Sequence, residues 1–378
     1  MIRKPENLPE CLIVLLARMR ADQQNEDKNG SHARKNLVWD FSFVPLSRVI
    51  VMNNNRGNIM KKFKFATLII ILGFIFSSQL YAKTAIIIAS FGTTVPSAVQ
   101  SIVNITSRVK AAFPDTEVRI VFTSNIIRSI WEKRSQSPKE WIKKGIPEEI
   151  LFTKNLLSTF GDLKSEGFKD VIVQPTHLFH MEQYHDLLQY VNAIRSIKTI
   201  RDKWKPFNKI AIGRPALGTV GDIYPYHDDL KLAVKTFAND VALARQKAAA
   251  LVYMAHGNEV WSTGLYVELQ QLLRETYPQV KIFIGSVEGY PGLEDVKKNL
   301  NHYTPKIDKI LLKPLMIVAG DHATNDMAGD EEDSWKSVLS KAGFDVEIIL
   351  KGLGSNNQFA DLFISHIKDA AKASGIAL

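Results

Sequence analysis

DKILLKPLMIVAGDHATND, residues 308–326, has the same layout as KDVIVQPTHLFHMEQYHD, residues 169–186. Each begins with a short apolar run, carries a proline within that run (Pro314 and Pro175), and ends in a polar segment that contains histidine. A continuous apolar run of this length is typical of a strand buried on both faces of a parallel sheet. Because the two stretches lie far apart in the chain, the match indicates a duplicated unit.

Three further strand-like runs accompany each member of this pair, in the same order. In both halves, amphipathic stretches with helical spacing separate the strands, which is the pattern of a parallel α/β sheet. One of these stretches, 148–167, predicts a single helix that ends near Gly167. The runs are TAIIIASFGTT (84–94), EVRIVFT (117–123) and KIAIGRPAL (209–217) in the first half, and AALVYMAHGN (249–258), KIFIGSVEGYPG (281–292) and DVEIILKGLG (345–354) in the second.

The sequence therefore predicts an α/β protein with two similar facing domains, each a four-stranded parallel sheet flanked by helices. We expect an N-terminal domain over 83–220 and a C-terminal domain over 221–356 that carries a metal site. The segment 357–378 contains an amphipathic stretch, and we expect it to form a helix that packs back on the first domain.

The N-terminal region has the features of a secretory signal within residues 60–82. Lys61, Lys62 and Lys64 precede an apolar run over 66–76 and a short tail that ends at Ala82. This layout predicts export to the periplasm with cleavage after Ala82. Leu80 is unfavourable at position −3, so a retained membrane anchor is the alternative, and no stable membrane insertion is expected if the signal is cleaved.

Residues 1–59 precede this signal, and the simplest interpretation is that they are an over-extended N-terminus that does not fold. A genuine long leader is the alternative. Residues 1–82 carry 12 Lys/Arg and 6 Asp/Glu, so +6 of the net charge of +9 lies in this segment. The remaining chain is only mildly basic and has no dense basic stripe, which argues against a nucleic-acid partner.

The composition also excludes several kinds of site. The one cysteine, Cys11, precedes the signal, so the exported chain has no disulfide, thiolate ligand or cysteine nucleophile. GLGSNN from Gly352 lacks the third glycine of a dinucleotide-binding loop, and no Walker-type loop is present. We therefore expect no nucleotide cofactor. The sequence does not determine the oligomeric state, and both a monomer and a homo-oligomer stay open.

Two imidazoles and a carboxylate follow neighbouring strands of the second predicted sheet. His256, Glu288 and His322 each come at or just after the end of an apolar run. Ligands of open parallel sheets bind beyond the carboxyl ends of the strands, and strand neighbours lie about 4.8 Å apart. The three side chains can then converge on Co²⁺, Ni²⁺, Fe²⁺ or Zn²⁺ and leave coordination positions open. The alternative is that each residue only hydrogen-bonds a neighbouring loop.

Two other polar clusters favour structural roles. The acids 330–333 precede a helix-like stretch, and we interpret them as capping groups and partners of the helix dipole. His177, His180 and His185 could hold a second metal ion, but their spacing fits a solvated loop better.

The motifs ASFGTT, HLFHMEQY, MAHGN, SVEGYP and PLMIVAGDHATNDMAGDEEDSWK resemble, in this order, those of anaerobic sirohydrochlorin cobaltochelatases of the CbiK type. The resemblance covers roughly residues 84–372 and implies the class II chelatase fold. It assigns metal binding to His256, Glu288 and His322, and it links Glu182 on the opposing domain to activity. Gly289 departs from the more usual serine of the V-E-x-Y-P segment.

The resemblance implies ATP-independent insertion of Co²⁺ into sirohydrochlorin or a related tetrapyrrole. His256 would act as both base and metal ligand, with Glu182 receiving a proton or orienting the macrocycle. We expect Ser90, Gly92 and Thr93, in a turn at a helix start, to bind a substrate carboxylate. Two alternatives remain, namely a haem, tetrapyrrole or metal-ion carrier without turnover, and a chelatase for Fe²⁺ or Ni²⁺.

Overall fold

The computed structural model describes residues 82–303 and 306–378. The proposed over-extended N-terminus, 1–59, lies outside the described residues, as does all of the predicted signal except Ala82. Among the residues described, no helix is both long and apolar enough to cross a bilayer.

Two four-stranded sheets form the framework, and their strands occur in the same spatial order. The first sheet has the order β2-β1-β3-β4 and the second β6-β5-β7-β8. The strands are β1 (Thr84–Ser90), β2 (Glu117–Phe122), β3 (Asp170–Pro175), β4 (Lys209–Ile212), β5 (Ala250–Gly257), β6 (Ile282–Glu288), β7 (Lys309–Leu315) and β8 (Asp345–Ile348).

Every strand pair in both sheets is parallel, and the two sheets have matching registers. Pro175 on β3 lies opposite Ala89 on β1, and Pro314 on β7 lies opposite Met254 on β5. The two prolines therefore occupy equivalent places beside the central strand of each sheet. The predicted fold class, two similar α/β domains with four parallel strands each, is confirmed.

Helices connect the strands and cover the sheets. One predicted helix, 148–167, is in fact two, separated where Asn155 caps the second by accepting a hydrogen bond from Ser158 N. The α-helices are Val99–Ala112, Asn125–Arg134, Pro138–Lys143, Glu148–Leu151, Leu156–Ser165, Glu182–Arg195, Tyr226–Thr236, Ala238–Gln246, Gly264–Thr276, Leu293–Asn301, Trp335–Lys341 and Asn357–Ser374.

Alternate residues of the central strands contribute to different cores. In β1, Ile86 and Ile88 pack into one cluster, whereas Ile87 packs into the cluster on the opposite face of the sheet. In β5, Leu251 and Tyr253 face one core and the intervening residues face the other. Burial on both faces explains why these strands are continuously apolar.

The C-terminal helix Asn357–Ser374 contributes to both domains. Its first half places Phe359 and Phe363 in the core of the second domain, and its second half places Ile367 and Ala371 against the first. Asn356 caps the helix by accepting from Gln358 N and Phe359 N, and Gly375 ends it in the left-handed conformation. One helix thus links the two cores.

A buried ionic network reinforces this link. Arg214, which follows β4, makes two hydrogen bonds to Asp229 of 2.6 and 2.9 Å, and a third to Asp369 of 2.9 Å. His366 Nε2 lies 3.2 Å from the same Asp229 carboxylate. The Arg214 and Asp229 side chains are 11% and 3% exposed. The network therefore joins the end of the first sheet to the helices that pack on the second.

Candidate functional site

His256 and Glu288 lie side by side at the carboxyl edge of the second sheet. His256 is the penultimate residue of β5, and Glu288 is the last residue of β6, paired in register with Gly257. The distance from His256 Nδ1 to Glu288 Oε2 is 3.7 Å. Adjacent parallel strands thus bring the two predicted site residues together.

Gly257 allows the two strand ends to approach this closely. Its φ is +82°, and a Cβ placed on it would lie 1.7 Å from the carbonyl oxygen of Glu288. Any other residue would require both a strained backbone and separation of the strands. The glycine next to His256 is therefore part of the geometry of this edge.

His322 reaches the same edge by a different route from the one predicted. β7 ends at Leu315, so His322 does not directly follow its strand as expected but lies seven residues later, immediately before the π-helical turn Ala323–Met327. Its ring centroid lies 4.5 Å from that of His256, with an interplanar angle of 88°. The loop after β7, and not the strand itself, brings the second imidazole to the first.

Asp326 orients the His322 ring, a role that the sequence interpretation missed. Its Oδ2 lies 2.5 Å from His322 Nδ1, one helical turn further along the chain. The i,i+4 spacing was the available signal, because residues so spaced in a helical turn face each other. A carboxylate on the far nitrogen of an imidazole is the usual partner of a metal-binding histidine.

The hydrogen-bond partners define which ring nitrogens are free to bind. His256 Nδ1 lies 3.0 Å from the Gly257 carbonyl oxygen, and a carbonyl can only accept. His322 Nδ1 likewise faces a carboxylate acceptor. Both Nδ1 atoms therefore carry the proton in the neutral rings, and each Nε2 keeps a lone pair for a metal ion or a proton.

The candidate site is open. The side chains of His256, Glu288 and His322 are 45%, 37% and 41% exposed. As the side chains stand, no group of three or more His, Cys, Asp or Glu residues in the described part of the chain is arranged to hold a metal ion. The three side chains are partly exposed, and exposed side chains change rotamer within picoseconds to nanoseconds.

The remaining predicted site residues lie in the first domain. Glu182 is exposed at the first position of helix Glu182–Arg195. Ser90 and Thr93 are buried, and Ser90 Oγ accepts from Gly92 N. A Cβ placed on Gly320 would lie 3.2 Å from Thr93 Oγ1, so this turn lies against the loop that carries His322.

Two further predictions about this region are wrong. The loop after β3 is not simply solvated, because His177 is buried and its burial lowers its pKa to about 4. The helix Trp335–Lys341 is capped by Ser334, whose side chain accepts from Ser337 N, and not by the acids at 330–333. A serine at the N-cap satisfies the same free N–H group that was assigned to the carboxylates.

Comparison with known proteins agrees with this architecture and these motifs. Two curated relatives are the sirohydrochlorin cobaltochelatase of Salmonella typhimurium, 27% identical over 76% of this chain and 96% of the relative, and the sirohydrochlorin cobaltochelatase CbiKC of Nitratidesulfovibrio vulgaris, 28% identical over 77% and 92%. The structure of SirB from Bacillus subtilis with Fe³⁺ aligns with a TM-score of 0.51 at 16% identity, covering 78% of this chain and 98% of SirB, which shows a shared fold.

A family model described as cobalt chelatase (CbiK) matches residues 84–372, which include all eight strands and every predicted site residue. The match spans both domains and most of the C-terminal helix. The chain therefore belongs to the cobalt chelatase (CbiK) family.

Proposed function

We propose that this protein inserts Co²⁺ into sirohydrochlorin without a nucleotide. The observation that carries the proposal is the convergence of His256, Glu288 and His322 at one sheet edge, in a chain of the cobalt chelatase family. The two curated relatives are named for this reaction. Two imidazoles and a carboxylate suit a transient site, because they bind Co²⁺ without the strong hold of thiolates.

The three residues would hold the substrate ion before transfer. The Nε2 lone pairs of His256 and His322 and the Glu288 carboxylate supply three donors, and the half-exposed site leaves room for water and for the macrocycle nitrogens. Transfer then replaces protein donors by pyrrole nitrogens one at a time. Because the three side chains are partly exposed, water can solvate each donor as soon as the ion leaves it.

Insertion also releases two protons, since two pyrrole N–H groups are replaced by one divalent ion. We assign the first proton to His256, because a neutral imidazole with a free Nε2 is a competent base near neutral pH. Glu182, on the facing domain, is our candidate for orienting the macrocycle or receiving the second proton. Ser90, Gly92 and Thr93 remain our candidates for holding a substrate carboxylate.

Turnover with different metals tests the function directly. The protein without residues 1–82 is incubated with sirohydrochlorin and Co²⁺, Fe²⁺ or Ni²⁺, and the absorbance spectrum is followed. We expect many equivalents of product with Co²⁺. One bound equivalent without turnover would identify a carrier, and faster turnover with Fe²⁺ or Ni²⁺ would identify a different chelatase.

Replacing Asp326 by Asn is expected to lower the insertion rate by about 10–100-fold at subsaturating Co²⁺, which is the usual effect of losing the partner of a metal-binding imidazole. The amide keeps the size of the side chain but loses the charge that fixes the His322 tautomer. Initial rates as a function of Co²⁺ concentration check this, with Asp321→Asn as the matched control. An unchanged rate would show that Asp326 does not orient His322.

We also propose that the protein is exported to the periplasm by the segment 60–82. The proposal is supported by the sequence of lysines, apolar run and small residues in that segment. The protein isolated from a periplasmic fraction should begin at Lys83, which N-terminal sequencing would determine. A chain that begins upstream of Met60, or that stays in the membrane fraction, would contradict cleavage.

A further inference from the structure

Three rings from the two domains meet beyond the carboxyl ends of β3 and β5. The Trp261 indole belongs to the loop after β5, whereas the His180 and His185 imidazoles follow β3. The ring centroid of Trp261 lies 5.5 Å from His180 and 5.3 Å from His185, and the two imidazoles lie 6.2 Å apart. The three rings therefore form a triangle that joins the domains at the carboxyl edges of both sheets.

The position of Trp261 is tied to the candidate metal site. Asn258, which directly follows Gly257, accepts hydrogen bonds from Val260 N at 2.8 Å and from Trp261 N at 2.7 Å. This turn fixes the loop a few residues beyond His256. In addition, Thr263 Oγ1 donates to the Tyr290 carbonyl oxygen across a distance of 2.5 Å, which holds the loop against the segment after Glu288.

The two imidazoles are held to very different degrees. His180 Nδ1 lies 2.7 Å from Thr219 Oγ1, and its ring is nearly parallel to the indole, at 25°. His185 is tilted by 42°, and its polar contact is Gln189 at 3.3 Å on its own helix. His185 can therefore leave the indole by rotation of its side chain, whereas His180 is anchored.

His180 also carries a buried nitrogen without a partner. Its Nε2 is shielded from solvent and makes no hydrogen bond among the described residues. If the Thr219 hydroxyl donates to Nδ1, Nε2 carries the proton and is an unused donor. An unpartnered buried donor is unfavourable and uncommon, so it points to a group that the site receives.

We propose that Trp261 and His180 form a binding subsite for the tetrapyrrole. The macrocycle displaces His185, stacks on the indole face that His185 leaves, and brings a peripheral carboxylate to the Nε2–H of His180. A planar aromatic ring and a single N–H donor match the two features of such a ligand, a flat π system and a rim of carboxylates. This proposal rests on the proposed function, because the role of the subsite is to position the substrate macrocycle relative to His256.

Binding of sirohydrochlorin without metal, measured by fluorescence titration, tests the subsite. We expect Trp261→Ala to weaken sirohydrochlorin binding by about tenfold, which is the order of effect of losing an aromatic stacking partner. Trp261→Phe, which keeps a ring, is expected to recover most of that loss, and His180→Ala to weaken binding comparably. Trp204→Ala, an exposed tryptophan of the first domain, is the matched control.

Two further measurements separate the outcomes. Co²⁺ binding to Trp261→Ala in the absence of tetrapyrrole should equal that of the wild type. The subsite would be overturned if Trp261→Ala is folded, as verified by its thermal transition, and binds sirohydrochlorin like the wild type. If the alanine variant is unstable, Trp261→Leu provides the same test. Wild-type protein that binds sirohydrochlorin without inserting Co²⁺ would instead overturn only the proposed function.

Discussion

Replacing His256 by Ala is expected to lower the rate of Co²⁺ insertion by about 10²–10⁴-fold, the range typical of losing a general base. The variant loses a metal donor and the assigned proton acceptor at once. His322→Ala loses only a donor, so its activity should be partly restored at high Co²⁺ concentration. Initial rates measured over a range of Co²⁺ concentrations distinguish the two effects.

His302→Ala is the matched control for both variants. His302 is exposed after helix Leu293–Asn301, at the opposite end of the domain from the carboxyl edge, and its Nδ1 lies 2.6 Å from the Lys298 carbonyl oxygen. Its rate should equal that of the wild type. Wild-type rates in His256→Ala and His322→Ala would remove the proposed mechanism.

The largest effect on stability is expected at Arg214. Arg214→Leu should lower the free energy of unfolding by about 3–5 kcal/mol, because it leaves the buried Asp229 carboxylate without its main partner. The double variant Arg214→Leu/Asp229→Leu should be more stable than the single variant, since no charge is then left unpaired. Chemical denaturation of the wild type, the single variant and the double variant measures their free energies of unfolding. Equal values for the single variant and the wild type would contradict the stabilising role of the network.

The same network makes the stability of the protein decrease as the pH falls into the acid range. Burial raises the pKa of Asp229, but hydrogen bonds from His366 and Arg214 outweigh this effect, so the pKa of the carboxyl in the folded protein lies below its ordinary value. A carboxyl with a lowered folded pKa stabilises the protein fully above its unfolded pKa and loses that contribution as pH falls through the folded value. Arg214→Leu should therefore reduce the loss of stability below about pH 4.

The double α/β fold could be predicted because its signals are local. The apolar runs of β1 and β5 are buried on both faces, and the equivalent positions of Pro175 and Pro314 follow from the same sequence match. The break of helix 148–167 could not be predicted as easily. There the capping side chain of Asn155 outweighs a continuous helical spacing.

Only part of the candidate site could be predicted from the sequence. His256 and Glu288 end neighbouring strands, so their proximity follows from the sheet. The position of His322 depends on a π-helical turn, and that of Trp261 on the turn that the Asn258 side chain closes, neither of which has a periodic signal in the sequence. The burial of His177 was missed because the polar composition of this loop predicts exposure.

The most direct test of whether His256 and His322 bind the metal is X-ray absorption at the cobalt edge, measured on the protein loaded with Co²⁺ in the absence of tetrapyrrole. We predict two imidazoles and oxygen donors around the ion, with the imidazole scattering lost in His256→Ala/His322→Ala and retained in His302→Ala. A cobalt ion surrounded by oxygen alone in the wild-type protein would contradict the claim that these two histidines hold the metal.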